Sequence, residues 1–356
     1  VAKTAYDILL LDSAEEPTMI GEEGIVWTKS GSQANAITIR PSGSSMVRLS
    51  KKTLDHAIRL QGVSNIAIRG VHFQNANQAI LLDNADRCLI EYNRFTGRRS
   101  EAGGSGSGTI WIGKSDSWDE VAWKEGDPNQ RSEGNTIKDN LFESACVESL
   151  NSELADKMHE NSKMYHGIYI SRGSEGNSIL HNAIKISECF GSGISLATSG
   201  YSVGNRVERN FVVKLYQEMK GNESAKWRQD EESRYAIDFG PRDYAPINTV
   251  RLNEITNNLV YVSRSMETEN CGASSSTPSY DFVRPYNTLH VSPARELCQG
   301  QNGNKLSRNL AYYGTDKDDM PTDPYWLGYM PNDPYWMGYW PNPESAREKF
   351  LQWMKK

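Results

Sequence analysis

Two short patterns alternate down this chain, and their alternation leaves few folds open. The first is a small residue, then Ile or Leu, then any residue, then an apolar residue. It occurs at Ala57-Ile58-Arg59-Leu60, Ala79-Ile80-Leu81-Leu82, Thr109-Ile110-Trp111-Ile112, Gly167-Ile168-Tyr169-Ile170, Gly193-Ile194-Ser195-Leu196, Ala236-Ile237-Asp238-Phe239 and Thr288-Leu289-His290-Val291. The second is Asn, any residue, an aliphatic, two more residues and Asn. It spans Asn135–Asn140, Asn177–Asn182, Asn205–Asn210, Asn248–Asn253 and Asn304–Asn309. Degenerate copies run from Asn65 to Gly70 and from Cys88 to Asn93.

Apolar residues at period two mark strands rather than helices. Short strands recurring every 20–30 residues mark a solenoid, and the tightest spacing here, Ile58 to Ile80, is 22 residues. Asn suits the corners, because it tolerates left-handed backbone and bonds its own local backbone. Stacked coils would line these side chains into a ladder. A β-sandwich also has short strands bounded by turns, but it does not generate two patterns in fixed order. The predicted fold is all-β, a right-handed parallel β-helix.

The predicted solenoid occupies residues 1–314, with strands near 7–11, 24–28 and 36–40 as its first coil. Long inserts are expected near 115–134, 143–164, 214–234 and 263–286. Loops on a rigid scaffold are where binding usually resides. Residues 315–356 form an aromatic-rich extension with a tandem repeat, Asp323-Pro324-Tyr325-Trp326-Leu327-Gly328-Tyr329-Met330-Pro331-Asn332 followed by Asp333-Pro334-Tyr335-Trp336-Met337-Gly338-Tyr339-Trp340-Pro341-Asn342. Such aromatics can stack on sugar rings or pack over the solenoid flank, and packing is the expectation here. Asn342 and Pro343 then begin a predicted short helix that would cap the open sheet edge.

Net charge is −6, which argues against a general nucleic-acid binder. No run of apolar residues reaches membrane-spanning length. The chain begins at Val1 rather than Met, as it would after removal of a leader. Secretion or periplasmic residence is expected. Of the five Cys, Cys88, Cys146 and Cys189 fall in repeats and read as small buried side chains. Cys271 and Cys298 bracket an insert, where a disulfide would suit an exported protein. No Cys spacing resembles a zinc site, and no cofactor is expected to be required. The acidic stretch Asp116, Asp119, Glu120 and Asp127 offers hard oxygen ligands for Ca²⁺ but lacks a recognisable loop motif.

If the repeated Ile points inward, the next residue points outward. The outward column reads Arg59, Leu81, Trp111, Tyr169, Ser195, Asp238, His290. The column just before the Ile is small throughout, which suggests the floor of a groove. Trp111, Tyr169, Asp238, Arg242 and His290 are the candidate substrate-binding residues, for a polysaccharide lying along the coils. Three residues past Trp111 and Tyr169, Lys114 and Arg172 fall on neighbouring coils. A cation beside a uronate carboxylate acidifies C5–H, and a base such as His166 can then remove the proton. Lys114, Arg172 and His166 are thus the candidate catalytic groups. Each also has a plainer reading as a solvated or satisfied corner residue.

His166-Gly167-Ile168-x-Ile170-Ser171-Arg172, with Asn182 closing the next strand, resembles the corresponding coil of periplasmic mannuronan (alginate) C5-epimerases. The resemblance implies that Arg172 neutralises the substrate carboxylate. That family's Asp-Pro-His-Asp motif is absent from the preceding coil, which leaves the base to be found among this chain's own residues. The repeat region as a whole resembles the pectate-lyase-like superfamily of polysaccharide lyases, epimerases and hydrolases. The expected activity is lysis or epimerisation of a uronan. The alternatives are a glycoside hydrolase pairing Asp238 with Asp243 or another carboxylate, and a β-helix that binds polysaccharide without turnover.

Overall fold

The structure is a computed structural model that describes residues 7–10, 18–19, 24–42, 47–50, 56–74, 78–98, 107–113, 131–145, 165–170, 174–187, 192–198, 202–215, 237–241, 250–262, 283–285, 303–307 and 310–313. Three parallel sheets are wound by one chain that visits them in strict rotation. The first sheet stacks Asp7–Leu10, Ile37–Pro41, Ile66–Arg69, Leu89–Glu91, Thr136–Lys138, Ser178–Leu180, Arg206–Glu208, Glu254–Thr256 and Lys305–Ser307. The second stacks Thr18–Met19, Val47–Ser50, Val71–Gln74, Arg94–Arg98, Leu141–Ala145, Ala183–Ser187, Phe211–Leu215, Leu259–Val262 and Leu310–Tyr313. The third stacks Ile25–Trp27, Ile58–Gln61, Ile80–Asp83, Ser107–Ile112, Tyr165–Ile170, Ile194–Thr198, Ile237–Pro241 and Val283–Pro285. This is a right-handed parallel β-helix, the hand that parallel crossovers take.

The core is a column of apolar residues supplied by all three sheets. Ile137, Ile179 and Val207 come from the first, Phe73, Phe95 and Phe142 from the second, and Ile80, Ile110 and Ile168 from the third. The three Phe rings stack at centroid separations of 5.1 and 4.6 Å. Parallel in-register strands force this layering, since each coil places the same inward position over its neighbour.

Two Asn ladders hold two of the three corners. Asn135, Asn177, Asn205, Asn253 and Asn304 form one, with each Nδ2 donating to the next Oδ1 at 3.0–3.3 Å. Asn93, Asn140, Asn182, Asn210 and Asn258 form the other at 3.0–3.1 Å. Each Oδ1 also accepts the backbone N–H of the preceding rung, as Asn182 does from Asn140 at 3.1 Å. Each Nδ2 reaches back to a carbonyl, as Asn182 does to Ile137 at 2.9 Å. The corner's buried polar groups are thereby satisfied without water.

Several expectations need correction. Each coil carries three strands, not two: the second-sheet strand follows the ladder Asn directly and was hidden behind it. The unit read as Asn248–Asn253 is Asn253–Asn258, while Asn304 is a rung as expected and Asn309 lies outside the described residues. Val250–Arg251 instead pairs with Ser202–Val203 just before the ladder. The strands at 7–10 and 25–27 belong to the first coil, while Ile37–Pro41 opens the second. Residues 131–134 and 143–145 belong to coils rather than inserts. The ladder Asn do not sit on the left-handed backbone either, although Asn65 of the degenerate copy does. That conformation falls on the residue before each rung, at Gly134, Gly176, Gly204, Leu252 and Gly303 on one corner and Tyr92, Asp139, His181, Arg209 and Asn257 on the other. The short C-terminal helix and the extension at 315–356 lie outside the described residues. Among the described residues no helix is long and apolar enough to cross a membrane.

Two outcomes follow. Asn182→Ala removes one rung and strands Asn140 N–H and the Ile137 carbonyl in a dry interior, which should cost roughly 3 kcal/mol in urea unfolding. Leu252 takes φ 59° where its stacked neighbours Gly204 and Gly303 are Gly, and it is 58% exposed. Leu252→Gly relieves left-handed strain with little packing lost, so it should raise stability by about 0.5 kcal/mol in the same assay.

Candidate functional site

The outer face of the third sheet carries the column anticipated above, now fixed by register. Val26, Arg59, Leu81, Trp111, Tyr169, Ser195, Asp238 and Arg284 are successive partners. The last position belongs to Arg284, not His290, because Val283–Pro285 is the strand that pairs with Ile237–Pro241. Arg284 was legible only once that register was known. At the other end Arg59 is neutralised, its Nε donating to Asp83 Oδ2 at 2.8 Å and its Nη2 to the same oxygen.

Trp111 and Tyr169 lie together, with ring centroids 6.0 Å apart and tilted by 37°. They are only 7% and 5% exposed and join Leu81 in a cluster separate from the solenoid core. An open aromatic shelf was expected; these rings are instead packed away, as large apolar surfaces favour. The small column is not a groove floor. Ala57 and Ala79 belong to the solenoid core, and a Cβ on Gly167 would come within 3.1 Å of the core residue Ile184 and 2.5 Å of the Gly193 carbonyl. Small side chains are needed there because the chain turns a tight inside corner.

His166 sits at the start of Tyr165–Ile170, buried, with its ring 5.0 Å from that of Tyr169. Its Nδ1 accepts the backbone N–H of Ser192 at 2.9 Å, so the side chain caps the start of the next coil. A neutral imidazole held this way carries its proton on Nε2. The arrangement suits a hydrogen-bond donor at Nε2; a base would first have to free Nδ1. Lys114, Arg172, Arg242 and His290 lie outside the described residues, as do Asp243, the acidic stretch from Asp116 to Asp127, and Cys146, Cys189, Cys271 and Cys298. Asp238 and Arg284 are described as register positions.

Charge gathers elsewhere on the corner ahead of the first ladder. The backbone N–H of Glu133 donates to Asp86 at 2.9 Å, and Arg131 bridges to Glu175 at 3.2 Å. Burial, then the charges of Glu175 and Asp86, holds the Glu133 carboxyl above its usual range. Cys88 takes the Asn position in the first ladder's preceding coil, its N–H donating to Asn135 Oδ1 at 2.9 Å. Burial pushes its thiol up to about 12, so it stays protonated and inert.

A profile of the family described as "Periplasmic copper-binding protein (NosD)" matches residues 18–243. The chain belongs to that family. No curated protein sequence matches significantly. Among solved structures, the alginate lyase from Paenibacillus sp. str. FPU-7 is similar at 14% identity and a TM-score of 0.46, covering 88% of this chain and 92% of that one. The PL6 family alginate lyase AlyGC is similar at 13% identity and a TM-score of 0.27, covering 91% and 50%. A mannuronic acid specific polysaccharide family 6 lyase from human gut microbiota is similar at 10% identity and a TM-score of 0.27, covering 99% and 95%. The fold itself rests on the sheets and ladders above.

The family's description names copper, and the described residues do not fit it. No group of three or more His, Cys, Asp or Glu among them is placed to hold a metal. The one described thiol is protonated and bonded to a backbone carbonyl, whereas copper is held by thiolate, thioether or imidazole donors.

The Ser192 bond gives His166 a measurable role. His166→Phe keeps the ring beside Tyr169 but leaves a buried N–H without an acceptor. It should lower unfolding free energy by roughly 2 kcal/mol, and nitrogen shifts of the wild-type ring should show Nδ1 as the unprotonated atom.

Proposed function

We propose that this chain acts on an acidic polysaccharide in the periplasm or outside the cell, removing the proton from C5 of a uronate. Departure of the 4-linked oxygen would make it a lyase; return of a proton on the opposite face would make it a C5-epimerase. The observation that supports this reading is the third-sheet column, in which Trp111 and Tyr169 run in register into Ser195, Asp238 and Arg284. A polymer following the coils would advance about 4.8 Å per coil, over whatever covers the buried Trp111, Tyr169 and Ser195. The family's description as periplasmic supports the location.

In this proposal Arg172 neutralises the uronate carboxylate and Lys114 assists. Ile112 and Ile170 are register partners, and each cation follows its Ile by two residues in the sequence. His166 orients Tyr169 while Nδ1 stays bonded to Ser192. It serves as the base only if that bond opens; Lys114, acting as a cation, does not accept the proton. His166, the candidate base among the described residues, commits Nδ1 to Ser192, which favours a second reading, a β-helix that binds polysaccharide without turning it over.

The test is a panel of alginate, polygalacturonate and neutral glycans, read by ultraviolet absorbance, reducing ends and sugar composition. Elimination yields an absorbing product; epimerisation changes composition without cutting. Arg172→Lys keeps the charge but loses the planar fork, so turnover should fall roughly tenfold or more with the thermal midpoint unchanged. Wild-type turnover in Arg172→Ala would sink the site. Reducing ends without absorbance would move the chemistry to Asp238 and a hydrolase, and binding without product would favour the second reading.

A further inference from the structure

The outer face of the second sheet changes character part-way along the solenoid. Its inward residues are Phe73, Phe95, Phe142, Ile184 and Val212, so their neighbours point out. On the early coils the outward positions are polar. His72 bonds Thr96 at 2.8 Å, and Arg94 pairs with Glu143 at 2.6 Å. Of the two outward columns, one turns apolar at Leu141 and the other, after Glu143 and Lys185, at Val213. Arg94 is followed in register by Leu141, Ala183, Phe211, Leu259 and Leu310. Lys185 is followed by Val213, Tyr261 and Tyr312.

These outward residues are not left in water. Phe211 is 2% exposed and Val213 0%, and Leu141 and Ala183 are also buried. None of the four belongs to the solenoid core. Adjacent strands shield the flanks of an outward side chain but not its tip, so another layer must lie over Leu141, Ala183, Phe211 and Val213.

We propose that the layer is this chain's own tandem decapeptide, residues 323–342, folded back across the outer face of the second sheet. The chain leaves the solenoid from Leu310–Tyr313, the last strand of that same sheet, with residues 314–356 still to follow. Four strand spacings separate Leu310–Tyr313 from Leu141–Ala145, about 19 Å at 4.8 Å each. One extended decapeptide reaches roughly 33 Å, so either copy can cross the whole apolar half. The two copies supply Tyr325, Trp326, Tyr329, Tyr335, Trp336 and Trp340, large surfaces that suit an apolar face. Pro324, Pro331, Pro334 and Pro341 remove backbone donors. The segment is therefore fitted to cover a sheet face with side chains rather than extend its edge as another strand.

Hydroxyl-radical footprinting of the full chain tests this. Trp326, Trp336 and Trp340 should react several-fold less than in urea-unfolded protein. In a Trp326→Ser, Trp336→Ser, Trp340→Ser variant, oxidation of Phe211 should rise several-fold while the inward Phe142 stays protected. A protease site placed at 315–320 gives a second measure: after cleavage the tail should co-elute with the solenoid under native conditions. Tail aromatics as reactive as in the unfolded chain would overturn the proposal, as would release of the cleaved tail. Phe211 still protected in the variant would assign the cover to an insert such as 216–236. Protection lost on dilution would assign it to a second copy; either result overturns the proposal.

Discussion

The hydrogen bond from one buried Asn amide to the next is the interaction on which this solenoid depends. A coil that turns three corners leaves backbone donors and acceptors facing inward at each one. In a dry interior each unpaired group costs more than a made bond returns. The Asn side chain resolves this because it is both donor and acceptor, and short enough to fit a corner. It joins its neighbour's amide, its neighbour's backbone N–H and a carbonyl one coil back. Asp, Ser or Gln would fail on charge, valence or length. Once the rungs are set, strand register is set, and with it which side chains face out on every sheet.

Much of the fold was legible because this constraint writes itself into the sequence at fixed spacing. Asn135–Asn140, Asn177–Asn182 and Asn205–Asn210 locate both ladders from their five-residue separation alone. The second sheet was not legible, because Leu141, Ala183 and Phe211 follow the rung without an intervening turn residue, and their outward positions are apolar as well. Strict alternation is the signal for a strand with one wet face, and a sheet covered on both faces does not show it. Asn253 was misassigned because Asn248 stands five residues ahead of it, and spacing alone cannot tell a rung from a chance Asn.

The candidate site was less legible. The column through Trp111, Tyr169 and Ser195 followed from period two alone. Its degree of cover did not, since burial of an outward residue depends on what lies over it. Nor could spacing show that His166 commits Nδ1 to Ser192. That bond is made to a residue 26 positions away and depends on the depth of the corner. Sequence reasoning picked out His166 as a candidate base; only the geometry distinguishes a donor from a base.

The ladders occupy two corners, between the third and first sheets and between the first and second. The corner from the second to the third sheet has no Asn rungs among the described residues. Three of the five longest separations between consecutive described strands, 146–164, 216–236 and 263–282, fall at that corner; the other two, 113–135 and 286–304, fall at the corner of the first ladder. A turn not tied to a stacked amide can be lengthened without breaking a hydrogen bond in the coil above or below. Length at the corner from the second to the third sheet therefore changes beside the column of Trp111, Tyr169 and Ser195 without touching a rung, whereas 113–135 and 286–304 lead straight into Asn135 and Asn304. Changes in length can thus accumulate at the second-to-third corner without loosening the ladders.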